Sequence, residues 1–330
     1  MLNPDVKLNH DVFSRGVEES PTRDGYGQGL LEAGKEENVV VLSADLEEST
    51  RCNWFAKVYP QRFFECGVAE QGMATIAAGL AVAGKIPFVS SYANFCPGRT
   101  WEQIRTTICY NNVNVKIAGH HAGISVGPDG ATHQATEDIA IMRALPNMRV
   151  VVPCDAIEAQ KATMTISQIY GPIYIRLQRE KTPIMTTKET PFVFGKAYSL
   201  WISKKKNPDV LIVGTGPIVY NALLAAKELE KEGIASVVLN NHTIKPIDEK
   251  EILAWAKKAG AVVTVEEHNY IGGLGGAVAE LLSEKLPMPI ERVGIQDVFG
   301  ESGKPEELIK KYHLDVKDIV SAVKKAVKRK

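Results

Sequence analysis

Cysteine is scarce in this chain. The five cysteines, Cys52, Cys66, Cys96, Cys109 and Cys154, are odd in number, scattered and never in a Cys-x-x-Cys pair. A disulfide framework and a cysteine zinc site are therefore not indicated. Net charge is also lacking: 39 Lys and Arg balance 39 Asp and Glu. Bulk electrostatics thus gives no reason to expect a nucleic-acid or anionic-membrane partner. The basic end, Lys324 to Lys330, suits a solvated helix C-terminus, where cations are favourable. No apolar run is long enough to span a bilayer. The first residues, Met-Leu-Asn-Pro-Asp, lack the basic-then-apolar order of a secretory signal. A cytoplasmic location is the expectation. No internal repeat or low-complexity tract is apparent.

A chain of 330 residues can build two domains with full cores. Short continuous apolar runs suit parallel strands buried on both faces. They are Asn38 to Asp45, Ile86 to Ser90, Val113 to Ala118, Val150 to Pro153 and Ile173 to Leu177. Helical stretches alternate with them: Tyr26 to Glu36, Met73 to Ala83, Thr100 to Tyr110 and Ala156 to Ser167. This is the pattern of a doubly wound α/β domain with a mostly parallel sheet. Ligands in such folds gather beyond the carboxyl ends of the strands, where Asp45, Ser91, His121 and Arg179 fall. From Lys181 to Phe194 the pattern fails, and its prolines and threonines read as a linker. A smaller α/β unit follows: strand Asp209 to Gly214, helix Val219 to Glu232, strand Ala235 to Asn240, helix Glu249 to Ala259 and strand Ala261 to Glu266. The expected domains are residues 1–185 and 196–330.

The most informative stretch is Phe64 to Met73, Phe-Glu-Cys-Gly-Val-Ala-Glu-Gln-Gly-Met. It sets Glu70 at the mouth of a run, Ala74 to Gly84, that has almost no polar side chain and reads as a buried helix. A poorly solvated carboxyl is costly there unless its proton has work to do. A structural glutamate bracing the helix start fits the same residues equally well.

Gly67-Val-Ala-Glu-Gln71 together with Gly127-Pro-Asp-Gly-Ala-Thr-His-Gln134 resembles the pyrimidine-binding domain of thiamine diphosphate enzymes, and within these transketolase. The similarity runs over nearly the whole chain but corresponds to the C-terminal half of a single-chain transketolase. The resemblance therefore implies the C-terminal subunit of a split transketolase of the pentose phosphate type. Such a subunit transfers a two-carbon ketol unit from a ketose phosphate (xylulose 5-phosphate type) to an aldose phosphate. It implies thiamine diphosphate as cofactor, with Mg²⁺ or Ca²⁺ bound by the partner. The expected assembly contains two copies of each subunit.

Roles for single residues follow from the same resemblance. Glu70 would share a proton with a ring nitrogen of the aminopyrimidine, favouring the imino tautomer whose exocyclic nitrogen takes the thiazolium proton. Phe95 matches an aromatic that stacks on that ring, and Tyr92 a second one. Asp45 and Leu46 match positions beside the cofactor. Asp129 would read a substrate hydroxyl, and His133 would contact the donor sugar and join Glu70 as a catalytic residue. His121 would help bind the acceptor or its phosphate. Arg23, Ser49 and Arg179 match phosphate-holding positions, and an arginine fork suits that work. His120 has no role in the pattern. Cys96-Pro-Gly-Arg99 replaces a stretch that carries another aromatic in single-chain members, and Arg99 has no counterpart there.

Two further features bear on cofactors. Gly214-Thr-Gly216 and Gly272-Gly-Leu-Gly-Gly276 look like dinucleotide fingerprints. The first lacks its third glycine and its ribose-binding acid, and the second does not directly follow a strand. Tight turns and close helix packing explain both. Metal binding by a pair among His120, His121 and His133 is an alternative, but no third ligand sits at a recognisable spacing from such a pair. The family's Gly-Asp-Gly metal motif is missing, since Asp24-Gly25 and Asp129-Gly130 lack its context. That absence is what implies an N-terminal partner subunit holding the diphosphate and metal. Gln71 is also how 1-deoxyxylulose-5-phosphate synthases and ketoacid dehydrogenase beta subunits read, which leaves these as alternatives. A non-catalytic scaffolding homologue is a third reading, opposed by the intact Glu70, Asp129 and His133.

Overall fold

The computed structural model describes all of residues 1–330. Its first sheet is built on the expected apolar runs. The strands are β1 (Val39–Ser43), β2 (Phe63–Glu65), β3 (Ile86–Tyr92), β4 (Lys116–His120), β5 (Arg149–Val151) and β6 (Ile173–Arg176). Five helices flank or connect these strands: α1 (Thr22–Ala33), α2 (Cys52–Val58), α3 (Glu70–Val82), α4 (Asp138–Arg143) and α5 (Ala156–Ser167). The six strands run parallel in the order β5-β6-β4-β3-β1-β2. Four of them, β1, β4, β6 and most of β3, are buried along their length, as helices on both faces require.

The second unit contains β7 (Tyr198–Trp201), β8 (Val210–Gly214), β9 (Ser236–Asn240), β10 (Thr243–Lys245), β11 (Val262–Asn269) and β12 (Ile290–Ile295). Its helices are α6 (Val219–Lys231), α7 (Glu249–Ala259), α8 (Leu274–Lys285), α9 (Pro305–Lys311) and α10 (Val316–Lys328). The sheet order is β12-β11-β8-β9-β7, with only β7 antiparallel. The expected α/β class with two sheets is therefore observed.

Two segments cross between the units. β10 pairs antiparallel with β5 and becomes a seventh strand of the first sheet. Residues from the start of the chain, Val6, Leu8 and Val12, pack in the core of the second sheet, and the Asn3 amide donates to the Leu200 carbonyl. One apolar core joins the units, holding Val40, Ile117 and Val150 together with Leu211, Val237 and Leu274. The seam is also polar: buried Arg176 pairs with Asp138 at 2.8 Å and donates to the Glu267 carbonyl at 2.9 Å. The ion pair ties two layers together, each buried charge facing its opposite, although Asp138 Oδ1 has no hydrogen-bond partner.

Three expectations change. The helix expected over Thr100 to Tyr110 is irregular, with wide-turn stretches at Asn94–Arg99 and Ile104–Cys109 around one regular turn. Pro97 explains the start: a residue before proline is pushed to extended backbone, and Cys96 has φ −135° and ψ 101°. The run Ala74 to Gly84 is helical but only half buried. Met73, Ala74, Ala77 and Ala78 face the core, whereas Ile76 is 51% and Val82 76% exposed. Composition cannot say whether a chain covers both sides of its own apolar helix. In the expected linker, Thr182–Pro183 pairs with Glu19–Ser20 as a two-residue ladder.

The glycine-rich turns are filled from inside. Buried Glu266 accepts from the Leu274 and Gly275 amides, at 2.6 and 2.7 Å, at the start of α8. A carboxylate of the chain itself thus takes the place at a helix N-terminus where a bound phosphate would sit. Gly25 of the first Asp-Gly pair has a different purpose: a Cβ there would overlap the Ala156 carbonyl, so the glycine lets α1 pack against α5. Gly130 of the second has φ +75°, a conformation glycine adopts freely.

Candidate active site

The site lies beyond the carboxyl ends of β1, β3, β4 and β6. Glu70 is the first residue of α3 and is 2% exposed. Its carboxyl is not alone, because Arg99 Nη1 donates to Oε2 at 2.8 Å. The Arg99 guanidinium also lies over the Phe95 ring, 4.8 Å from its centroid. From Phe95 a continuous group of rings extends across the strand ends. Phe95 stacks offset on Tyr92 at 5.9 Å, and Tyr92 stacks on His121 at 4.0 Å with 23° between planes. His133 meets Phe95 edge-on at 5.3 Å. Its loop is held by Asn94, whose side-chain amide donates to the Thr132 carbonyl.

Beyond His121 the surface becomes cationic. Arg23, at the start of α1, donates from Nη1 to His121 Nε2 at 3.2 Å and to the Ser49 carbonyl at 3.1 Å. Ser49 thus enters through its backbone. Arg179 donates to the Val126 carbonyl at 2.9 Å and lies 3.5 Å from Asp129. Burial first, then the nearby Arg23 and Arg179 charges, push His121 down to about 3. A neutral imidazole that accepts at Nε2 carries its proton on Nδ1, and that nitrogen is buried with no partner. Burial likewise lowers His120, both of whose ring nitrogens are unpartnered. Buried polar atoms without partners are uncommon, and here Ser91 Oγ, Arg23 Nε, His121 Nδ1 and both His120 nitrogens cluster at one place. Asp45 and His121 also have left-handed backbone, φ 59° and 53°, the kind of local strain that collects at functional sites.

The structure therefore brings Glu70, Tyr92, Phe95, His121, His133, Arg23 and Ser49 into one group, with Asp129 and Arg179 on its border. Asp45 and Leu46 follow β1, and no side-chain hydrogen bond joins them to the rings. The Asp45 amide donates instead to Glu65 Oε1 at 2.7 Å. Glu65 has no role in the sequence pattern, and Arg99, which stands there without a counterpart, has its partner shown only by the fold. Glu65 lies in the informative stretch itself, but Arg99 had only its proximity to Phe95 to mark it.

The donor set fits the pyrimidine end of a thiamine cofactor: a buried carboxyl facing an aromatic platform, flanked by unpartnered polar atoms. No group of three or more His, Cys, Asp or Glu side chains lies where it could hold a metal ion, so the fit covers that end of the group only. No helix is long and apolar enough to cross a membrane.

Known proteins give this geometry a family. Residues 18–185 match the transketolase pyrimidine binding domain and residues 200–319 the transketolase C-terminal domain. The chain belongs to the transketolase family, in the branch whose C-terminal half is a separate polypeptide. A putative transketolase C-terminal section of Methanocaldococcus jannaschii is 48% identical over 93% of this chain and 96% of its own length. A 6-deoxy-6-sulfo-D-fructose transketolase subunit of a Clostridium species is 42% identical over 96% of this chain and 98% of its own. A split gene transketolase solved as an inactive β4 tetramer superposes with a TM-score of 0.86 at 46% identity, covering 95% of this chain and 100% of that one. The chain spans 48% of the single-chain transketolase of rat, at 36% identity over 92% of its own length.

Proposed function

We propose that this chain is the catalytic C-terminal subunit of a thiamine diphosphate-dependent transketolase. It moves a two-carbon ketol unit between sugar phosphates together with an N-terminal subunit that holds the diphosphate and its divalent metal. The observation that carries this reading is the buried Glu70 carboxyl joined through Arg99 to the Phe95 ring, with Tyr92 and His121 continuing the group of rings to the Arg23 cation. The cofactor, when bound, supplies the carbon nucleophile and the electron sink for C–C cleavage. Glu70 holds a proton at the pyrimidine ring nitrogen, and Phe95 and Tyr92 set the plane of that ring. His133 and Asp129 orient sugar hydroxyls. His121 donates from Nδ1, and Arg23 and Arg179 bind the anionic end of the substrate. A sugar held at both ends in this way has its reacting carbon placed before chemistry begins.

The half-exposed α3, with Ile76 and Val82 on its open side, supports a partner chain at this face. The relative named for a sulfo-sugar leaves the anionic end group, phosphate or sulfonate, as the finer question. The test uses the subunit with its co-purifying partner, thiamine diphosphate and Mg²⁺. Xylulose 5-phosphate plus ribose 5-phosphate is followed beside pyruvate plus glyceraldehyde 3-phosphate. Sedoheptulose 7-phosphate from the first pair, made only with the partner present, supports the proposal. Turnover of pyruvate, or full activity from this chain alone, overturns it.

A further inference from the structure

We propose that Arg99 is an internal placeholder: without cofactor its guanidinium fills the slot between Glu70 and Phe95, and it must leave before a pyrimidine ring can enter. The inference rests on the reading of Glu70 and Phe95 as that slot. Three observations carry it. First, the guanidinium touches both walls at once, donating to Glu70 Oε2 at 2.8 Å while lying 4.8 Å from the Phe95 centroid. Stacked aromatic rings sit with centroids about 4.5–7 Å apart, so Arg99 holds the layer a stacked ring would need. Second, it imitates the ligand: a planar, delocalised N–C–N group that hydrogen-bonds to the carboxyl while lying over an aromatic ring.

Third, Arg99 is free to go. Its side chain is 47% exposed against 2% for Glu70, and the bond to Glu70 is its one hydrogen bond. Rotation into solvent costs it that bond and one cation–π contact, and water replaces the donor's partner. Glu70 cannot do the same. Buried at the start of α3, it would be left without a partner if Arg99 departed and nothing replaced it, which is expensive for a carboxyl. The exchange of guanidinium for pyrimidine therefore keeps Glu70 satisfied throughout.

A competitor inside the chain lowers apparent affinity by the fraction of molecules in the open state. With Arg99 in place nine times in ten, removing it tightens cofactor binding about tenfold. The experiment titrates thiamine diphosphate, in Mg²⁺, into the cofactor-free complex of this subunit with its co-purifying partner. Wild type, Arg99→Ala and Arg99→Lys are compared by intrinsic fluorescence and by thermal unfolding. Arg99→Ala should bind about tenfold tighter, and Arg99→Lys, which keeps charge but not the planar stack, should fall between. Without cofactor Arg99→Ala should unfold about 2–4 °C lower, since Glu70 has lost its partner, and at saturation this deficit should vanish. Unchanged or weaker binding in both variants, or a deficit that persists at saturation, overturns the placeholder. Failure of wild type to bind the cofactor at all would instead overturn the reading of the slot. Should Arg99→Ala fail to fold, the same comparison with Arg99→Lys decides.

Discussion

Two buried glutamates, one at the start of a helix and one facing the start of another, differ in who satisfies them. Glu266 receives the Leu274 and Gly275 amides of α8. Both donors are backbone amides at the start of the helix that follows its strand, fixed in place by the chain. Glu70, at the start of α3, receives one donor from Arg99, a half-exposed side chain on another segment that lies against an aromatic ring. Both carboxyls are equally hidden, 1% and 2% exposed. On the proposed function, burial therefore does not separate a structural acid from a working one. What separates them is whether the partner can be exchanged.

Removing the carboxylates one at a time should separate the two glutamates most visibly. Glu70→Gln should cost the assembled enzyme about 10²- to 10⁴-fold in kcat, the range for a positioned proton-transfer group, with little change in unfolding temperature. Glu266→Gln should do the reverse. It gives up a charge-assisted bond at the start of α8, which costs about 1–3 kcal/mol of stability, while kcat per folded molecule is unchanged. Activity assays and thermal melts on the same preparations check both.

Next in size is the cationic group. Arg23→Gln or Arg179→Gln removes a charged donor worth about 1.5–3 kcal/mol, so KM for a phosphorylated sugar should rise about ten- to a hundredfold. KM for an unphosphorylated ketose should hardly move. A smaller effect is expected at the platform. Phe95→Leu keeps an apolar side chain but loses ring stacking, worth about 1 kcal/mol, and cofactor titration should show about fivefold weaker binding.

The smallest effect near neutrality is on stability against pH. His121 is held at about 3 by burial and by Arg23 and Arg179, against an ordinary 6.5. Below 6.5 the unfolded chain takes up a proton that the folded site refuses, so its contribution to stability is present above 6.5 and lost as pH falls toward 3. Buried His120 acts with the same sign. His121→Asn should flatten the decline of unfolding free energy between pH 6.5 and 5, as denaturant titrations at each pH would show.

The sequence carried much of this and missed particular parts for physical reasons. Helices α5 and α7 run over the expected residues, and the buried strands β1, β4 and β6 agree to within a few positions, because continuous apolar runs leave little freedom to a sheet covered on both sides. β2, β7, β10 and β12 went unread: β2 and β10 have three residues each and β7 and β12 are edge strands, so none shows a fully buried apolar run. The seam of Arg176, Asp138 and Glu267 joins residues as far as 129 positions apart, a distance no local pattern spans. Within the site, motif residues announced Glu70, Asp129 and His133. The stacking of Tyr92 on His121 and the bond from Arg99 to Glu70 depend on how three strand ends meet, and only the fold shows them.

The most direct test of the central claim, that Glu70 handles a proton on the cofactor, is deuterium exchange at the reactive thiazolium carbon. It would be measured by quenched-flow NMR in the assembled complex with Glu70 and with Glu70→Gln, both saturated with thiamine diphosphate and Mg²⁺. Exchange should be at least about a hundredfold slower in the variant. Equal exchange rates at full saturation would contradict it and return Glu70 to the same structural standing as Glu266.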